Sequence, residues 1–249
     1  MPESKRVAIF GATSTIAQSI ARRYAAQGAR LALIARDGAK LKALAEGLGP
    51  SVRFVRAQDF THSEQADDCV RAAFDALGGC DVALIAHGLL GDQLRSEREL
   101  SVALEIAQVN YTSVVALLIP IANRMAAQQR GQIAVLSTVA AERGRPRNYT
   151  YAAAKAALNT YLQGLRSRLY RDNVSVHTLK LGPTDTPMSA EHPKNALFAT
   201  PDQVARGVLS ALAHGTEEAF VPRYWRPIMF VVRNLPEAIF QRLPALSAR

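Results

Sequence analysis

Short runs of apolar residues alternate along the chain with longer segments in which apolar residues return every three or four positions. The short runs are rich in valine, isoleucine and leucine, and four of them are apolar at nearly every position, which is typical of strands buried on both faces of a sheet. They predict six β-strands, at Val7–Phe10, Leu31–Ala35, Val52–Ala57, Val82–Ala86, Ile133–Ser137 and Val174–Leu181.

The longer segments predict helices between these strands. Ile16, Ile20 and Tyr24 lie on one face of the first helix, which we expect to end at Gly28. Further helices are predicted at Gly38–Leu48, Glu64–Leu77, Glu97–Gln128, Thr150–Arg171 and Pro201–Ala213. Repeated β-α-β units with buried strands indicate a doubly wound α/β fold, a parallel sheet of the Rossmann type with helices on both faces. We expect a single domain over residues 1–222, followed by a segment of different character at 223–249.

Composition narrows the classes of protein that fit. The chain has 249 residues, 49% of them apolar, and a formal net charge of +9. This charge favours anionic partners, but it is spread along the chain rather than clustered in a motif, so we expect no nucleic-acid binding. The two cysteines lack metal-ligand spacing, and we expect neither a disulfide nor a metal site. Because there is no signal-peptide pattern and no run of about 20 apolar residues, we expect a cytoplasmic protein.

The turn after the first predicted strand is a candidate phosphate site. Gly11 at the strand end allows a tight turn, and the following helix start offers free N–H groups and the positive end of the helix dipole. The segment from Thr13 through Ser14 and Thr15 to Ile16 would then contact a pyrophosphate. The alternative is an ordinary strand-to-helix turn with Ser14 as its N-cap.

The end of the second predicted strand bears on the choice of dinucleotide. An NAD site uses a carboxylate there for the ribose 2′-hydroxyl, whereas an arginine accommodates a 2′-phosphate. Arg36 follows Ala35 at this position, so we expect NADP(H) in preference to NAD(H). Asp37 could instead bind the ribose, and a third possibility is that Arg36 and Asp37 simply form a solvated turn.

Tyr151 and Lys155 lie one helical turn apart at the start of a predicted helix, on the same face. A cation beside a phenol stabilises the phenolate and lowers the phenol's pKa, as a general acid–base for carbonyl–alcohol chemistry requires. A tyrosine and a lysine at this spacing are common by chance. The catalytic interpretation is favoured because the pair follows a predicted strand that ends in Leu136-Ser137-Thr138.

Taken together, these motifs resemble the short-chain dehydrogenase/reductase family over about residues 5 to 222. The resemblance implies that Tyr151 transfers a proton, that Lys155 holds the nicotinamide ribose, and that Asn110 anchors a proton-relay water. The hydroxyl thirteen residues before Tyr151 belongs to Thr138, which would bind the substrate oxygen, with Ser137 as the fallback. By the same resemblance the remaining cofactor contacts fall on Asp59, Phe60, Ala86, Gly88, Gly182, Thr184 and Thr186.

The resemblance also carries expectations about partners and substrate. It implies a homodimer or homotetramer and a small-molecule or lipid-linked carbonyl substrate. The first turn and the C-terminal segment are similar to an atypical subgroup, the reductases of a 2-keto sugar on a polyprenyl phosphate. The alternative function is a dinucleotide-binding regulatory protein that has lost turnover. His87 either lines the pocket or is a packed core histidine.

The C-terminal segment combines apolar bulk with arginines. One face of a predicted helix carries Trp225, Ile228, Met229 and Val232, and a second turn from Pro236 carries Ile239, Phe240 and Leu243. Arginines are interspersed at positions 223, 226, 233 and 242. This pattern fits a subunit interface or pocket wall, or a segment that contacts the inner surface of a membrane without crossing it.

Overall fold

The computed structural model describes residues 4–191 and 194–243. Its centre is a seven-stranded sheet in the order β3-β2-β1-β4-β5-β6-β7, with every neighbouring pair parallel. The strands are β1 (Arg6–Phe10), β2 (Arg30–Ala35), β3 (Val52–Ala57), β4 (Val82–Ile85), β5 (Gly131–Thr138), β6 (Val174–Leu181) and β7 (Glu218–Val221). The six predicted strands are therefore present, and the doubly wound α/β prediction is confirmed.

The helices fill both faces of the sheet. They are α1 (Thr15–Ala26), α2 (Gly38–Leu48), α3 (Ala66–Leu77), α4 (Gln93–Ser96), α5 (Leu100–Ala107), α6 (Ser113–Gln128), α7 (Tyr149–Leu169), α8 (Pro201–Ala213), α9 (Trp225–Asn234) and α10 (Glu237–Phe240). The core divides accordingly, because alternate strand residues point to opposite faces. Val7 and Ile9 pack with α1, α2 and α8, whereas Ala8 and Phe10 pack with α3, α6 and α7.

The predicted single helix over Glu97–Gln128 is wrong in detail. A separate short helix, α4, precedes it, and a π-helical turn at Gln108–Thr112 interrupts the rest between α5 and α6. The stretch Leu100–Gln128 is long and apolar enough to cross a membrane, although no run of this kind was expected from the sequence. Its residues Leu117, Ile121 and Met125 are buried in the core cluster of one sheet face, as in a core helix of a globular fold.

The seventh strand was not predicted. β7 has only four residues, and its side chains alternate between buried and half-buried. A run this short carries little periodic signal, so its residues were placed within the domain but in no predicted element. The strand pairs with β6 from Thr178↔Glu218 to Leu181↔Val221 and forms one edge of the sheet.

The C-terminal segment packs on the body of the fold. Trp225, Met229, Val232 and Phe240 form a buried cluster with Val139, which lies just after β5. Arg143 holds this arrangement: its Nη1 donates to the carbonyls of Val232 (2.8 Å) and Leu235 (2.5 Å). Its guanidinium also pairs with Glu237 at 2.6 Å and lies 4.0 Å from the centroid of the Phe240 ring. The apolar face predicted for this helix therefore serves as a wall of the domain.

Two adjacent residues of α9 provide a test of this packing. Met229 is 1% exposed and Phe230 is 71% exposed. We expect Met229→Ala to lower the free energy of unfolding by about 2–5 kcal/mol, because it leaves a cavity in the cluster. Phe230→Ala should change it by no more than about 0.5 kcal/mol, as is usual for exposed positions. Urea denaturation of both variants measures the difference, and similar losses would contradict the packing.

Candidate active site

The carboxyl ends of the strands meet at one edge of the sheet, and the strand order reverses there between β1 and β4. Gly11 lies at this edge with φ +87, and its N–H donates to the Ile34 carbonyl at 2.8 Å. A Cβ at Gly11 would lie 2.5 Å from the His87 backbone nitrogen. No side chain fits there, so the glycine is required by both the backbone conformation and the approach of the β4 loop.

A cleft of about 330 Å³ opens beside this turn. Nine predicted site residues line it, namely Thr13, Ser14, Thr15, Ile16, Ala86, Gly88, Tyr151, Lys155 and Thr186. The first N–H groups of α1 precede the hydrogen-bond ladder of the helix and are available to a ligand. Ser14 caps the helix, since its Oγ accepts from the Ala17 N–H at 3.2 Å. The N-cap alternative for Ser14 is therefore confirmed, and its contact with a pyrophosphate stays a prediction.

Tyr151 and Lys155 lie on one face of α7 and both line the cleft. Burial raises the pKa of the Tyr151 phenol to about 12, and a hydrogen bond with the Thr138 side chain partly offsets the rise. The expected lowering of this pKa by Lys155 is therefore wrong. Burial lowers the pKa of Lys155 to about 8. Its Nζ donates to the Leu136 carbonyl at 3.3 Å. The phenol is therefore neutral near pH 7, and the lysine is largely an ammonium there.

The two candidate hydroxyls at the end of β5 are used differently. Thr138 Oγ1 accepts from the Ala140 N–H at 3.1 Å and interacts with Tyr151. Ser137 is 4% exposed, and its hydroxyl donates to Asn159 Oδ1 at 2.6 Å inside the fold. Ser137 is among the residues that line the cleft and Thr138 is not, but the hydroxyl proton of Ser137 is already committed to Asn159. The geometry favours Thr138 as the residue that acts with Tyr151.

Asn110 lies in the π-helical turn, fully buried. Its Nδ2 donates to the carbonyls of Leu89 and Ile106, and its Oδ1 accepts from the Leu89 N–H at 3.1 Å. A Cβ at Gly88 would lie 3.0 Å from Asn110 Oδ1 and 3.5 Å from Lys155 Nζ. Asn110 therefore fixes the loop after β4, and Gly88 leaves room for both side chains. Single π turns of this kind are frequent at functional sites.

The residues expected to contact the adenosine end of the dinucleotide are not among those that line the cleft. Arg36 is exposed after β2, close enough to Asp59 to lower the pKa of that carboxyl. Asp59 accepts from the Thr61 N–H and hydroxyl, and these bonds contribute more strongly to the same lowering. Asp37 is the N-cap of α2, accepting from the Lys40 N–H at 3.0 Å. Phe60 is nearly buried between the rings of Phe10 and His87.

The segment after β6 supplies the remaining predicted residues. Gly182 packs against Trp225, whose indole nitrogen would lie 2.0 Å from a Cβ at that position. Thr184 is buried and donates to the Gly182 carbonyl at 3.0 Å. Thr186 begins a short helical turn over Pro187–Ser189 and lines the cleft. Gly182 and Thr184 therefore shape the segment, and Thr186 is the residue of the three that reaches the cleft.

Sequence reasoning missed several cleft residues. Lys40, Leu181, Pro187 and Met188 all line the cleft. Lys40 gave a signal, since it is a basic residue one helical turn after Arg36. His87 lines the cleft and is also packed, with its ring 4.6 Å from Phe60 and its Nε2 2.9 Å from Ser113 Oγ. Burial, with Lys155 adding to it, lowers the pKa of His87 to about 3, so the ring is neutral.

A wider depression of about 950 Å³ runs along α8 and β7. Its lining includes Arg206, Glu218 and Tyr224, but neither Tyr151 nor Lys155. Size alone does not define an active site, and the smaller cleft contains the groups that can transfer a proton.

Comparison with known proteins identifies the class. Residues 5–196 match the family described as short chain dehydrogenase. The chain is 36% identical over 239 residues to an uncharacterized oxidoreductase of Streptomyces coelicolor, with 94% of both chains covered. It is 32% identical over 241 residues to an uncharacterized oxidoreductase of Mycobacterium tuberculosis, with 96% of both covered. The crystal structure of a short chain dehydrogenase from Burkholderia cenocepacia in complex with NADP has the same fold, with a TM-score of 0.83 and 21% identity over 97% of this chain and 98% of that one.

The chain belongs to the short chain dehydrogenase family. It is an oxidoreductase that uses a nicotinamide dinucleotide, and the cleft beside Gly11 is where the residues present fit that cofactor. The alternative of a regulatory protein without turnover is set aside, because the family match accompanies an intact Tyr151–Lys155 pair.

Three substitutions test the assignment of the proton-transfer groups. Tyr151→Phe keeps the ring but removes the proton, so kcat should fall by about 10²–10⁴-fold with cofactor affinity unchanged. Thr138→Ala should lose most activity for lack of the hydroxyl beside the phenol. Ser137→Ala is the matched control and should keep it. Steady-state turnover and cofactor titration measure these effects, and a reversed pattern for the two hydroxyls would transfer the role to Ser137.

Proposed function

We propose that this protein uses NADPH to reduce a ketone to a secondary alcohol. The observation that supports this role is the place of the Tyr151 phenol, which lines the cleft with Lys155 and interacts with Thr138, while burial keeps its pKa high, at about 12. A phenol that holds its proton at neutral pH is a general acid, and reduction of a carbonyl requires an acid at the forming alkoxide. The dinucleotide supplies the hydride when bound.

Each residue of the centre has a defined task in this reaction. Thr138 hydrogen-bonds the carbonyl oxygen and stabilises the charge that develops on it. Tyr151 donates its phenolic proton to that oxygen. Lys155, on the same face of α7, stabilises the resulting phenolate as a neighbouring cation. Because Lys155 is buried, solvent screens this interaction little.

The preference for NADPH is supported by the distribution of charge after β2. Arg36 is exposed there, and Lys40 lines the cleft one helical turn later. Asp37, the carboxylate that could have bound a ribose hydroxyl, caps α2 and pairs with Lys40 Nζ at 3.1 Å. Two cations and an engaged carboxylate favour a 2′-phosphate.

Cofactor binding tests this preference directly. Arg36→Ala should weaken NADPH binding by about 10- to 100-fold, as expected for loss of charge-assisted hydrogen bonds, and leave NADH binding little changed. Fluorescence titration with each cofactor measures both dissociation constants. Arg53→Ala, an exposed arginine on β3, is the control. Equal losses for NADPH and NADH in Arg36→Ala would contradict the proposal.

We also propose that the protein contacts an anionic membrane surface, as a reductase of a lipid-linked ketone would. Of the residues expected to do so, Trp225, Met229 and Phe240 are buried. The outer side of α9 and α10 nevertheless exposes Phe230, Val231 and Ile239, and Leu243 is exposed just after α10. Arg226, Arg233 and Arg242 are exposed beside them. Apolar groups flanked by arginines support reversible attachment to anionic lipid.

Vesicle flotation tests this contact. The protein should float with vesicles containing anionic lipid, and added salt should weaken the association. The double substitution Phe230→Ser with Val231→Ser should abolish it, because it removes the most exposed apolar groups. Leu100→Ser, at an equally exposed residue on α5, should leave it intact. Equal binding by the double variant and the wild type would contradict the proposed surface.

A further inference from the structure

Three unsatisfied polar atoms belong to the loop after β5 and to the start of α9, two segments that are in contact through Arg145 and Met229. Arg145 Nε, Asn148 Oδ1 and Trp225 Nε1 are buried and have no hydrogen-bond partner among the described residues. Buried polar groups are almost always paired in native proteins, so each exception calls for an explanation. Two donors and one acceptor are the kinds of group that an anion carrying a hydroxyl would engage.

Two neighbouring arginines of this loop show contrasting environments. Arg143 is fully engaged with carbonyls, a carboxylate and an aromatic ring of the C-terminal segment. Arg145 is half-buried, and its Nη2 lies 3.9 Å from the Met229 sulfur, a weak acceptor. No carboxylate within the described residues forms an ion pair with Arg145. Burial and the nearby charge of Arg147 lower its pKa, so the fold does not stabilise this cation.

The position of Arg145 relates it to the reacting groups. Its carbonyl accepts from the Asn148 N–H at 3.0 Å, in the turn that leads directly into α7 and Tyr151. On the other side, Trp225 packs on Gly182, next to the cleft residue Leu181. The three residues therefore lie near the carboxyl ends of β5 and β6. The turn after β1 and Lys40 lie at the carboxyl ends of β1 and β2, further along the sheet.

We propose that Arg145, with Asn148 and Trp225, forms a subsite for the anionic end of the substrate, a carboxylate or a phosphate monoester. The inference rests on the proposed reduction of a ketone and names the chemical class of that ketone. The guanidinium turns from Met229 and binds two oxygens of the anion, as its planar fork allows. The indole N–H supplies a further donor, and Asn148 Oδ1 accepts from a substrate hydroxyl.

The test compares charged and neutral ketones. Arg145→Met removes the charge and keeps most of the side-chain volume, and Arg171→Met, at an exposed arginine after α7, is the matched control. For a keto acid and for a keto phosphate, Arg145→Met should raise KM by about 10- to 100-fold with kcat little changed. For a neutral ketone of similar size, KM should stay the same. A larger effect with one of the two anions identifies which group the subsite takes.

A second measurement needs no turnover. With NADP⁺ at saturation to fill the pyrophosphate site, inorganic phosphate should raise the midpoint of thermal unfolding of the wild type and of Arg171→Met, but not of Arg145→Met. Without phosphate, Arg145→Met should be at least as stable as the wild type, because it loses a half-buried cation that has no counter-ion.

The outcomes separate the subsite from the reaction. Equal losses for charged and neutral ketones, or a marked drop in the stability of Arg145→Met, would show that Arg145 is structural and overturn the subsite. Phosphate protection that persists in Arg145→Met would do the same. If the wild type reduces no ketone with NADPH, the proposed function fails, and the unfolding assay still decides whether the anion site exists.

Discussion

The ammonium group of Lys155 lies in the interior of the fold, with the Leu136 carbonyl 3.3 Å away. Burying a cation is costly, and the surroundings determine whether the group stays charged. The structure arranges the end of β5 and the first turns of α7 so that this cation faces the cleft. Gly88 has no side chain to separate Lys155 from Asn110, and the π turn places Asn110 where it can hold the loop after β4.

The same burial acts in opposite directions on the two partners. It raises the pKa of Tyr151 and lowers that of Lys155, because in each case the charged form is disfavoured. Near neutral pH the pair therefore consists of a protonated phenol and a lysine close to its titration range. This is the state from which a proton can be given to a ketone oxygen.

Much of this could be predicted from residues that act locally. The apolar runs located the strands, because a strand buried on both faces needs apolar residues throughout. The spacing of Tyr151 and Lys155 predicted that both side chains share one helix face, and Thr138 was assigned from the resemblance to the family. The π turn and β7 could not be predicted, since the first depends on the packing of Asn110 against the β4 loop and the second on an edge of only four residues.

The C-terminal segment shows where a periodic pattern is insufficient. Its amphipathic face was visible in the sequence, but the same pattern serves a membrane surface, a subunit interface or a domain wall. Arg143 and the cluster around Met229 decide in favour of the wall for that face. Likewise, Lys40 follows Arg36 closely in the sequence, but only the structure shows that the first turn of α2 borders the same cleft as α1.

The central claim is that a buried lysine cation supports proton donation by Tyr151, and the pH dependence of reduction tests it most directly. With saturating NADPH and a neutral ketone, kcat/KM of the wild type should be constant at lower pH. It should fall as pH rises above about 8, where Lys155 loses its charge. Lys155→Arg should move this fall to higher pH, because a guanidinium keeps its charge. A kcat/KM that does not fall between pH 8 and 10, in the wild type as in Lys155→Arg, would contradict the account.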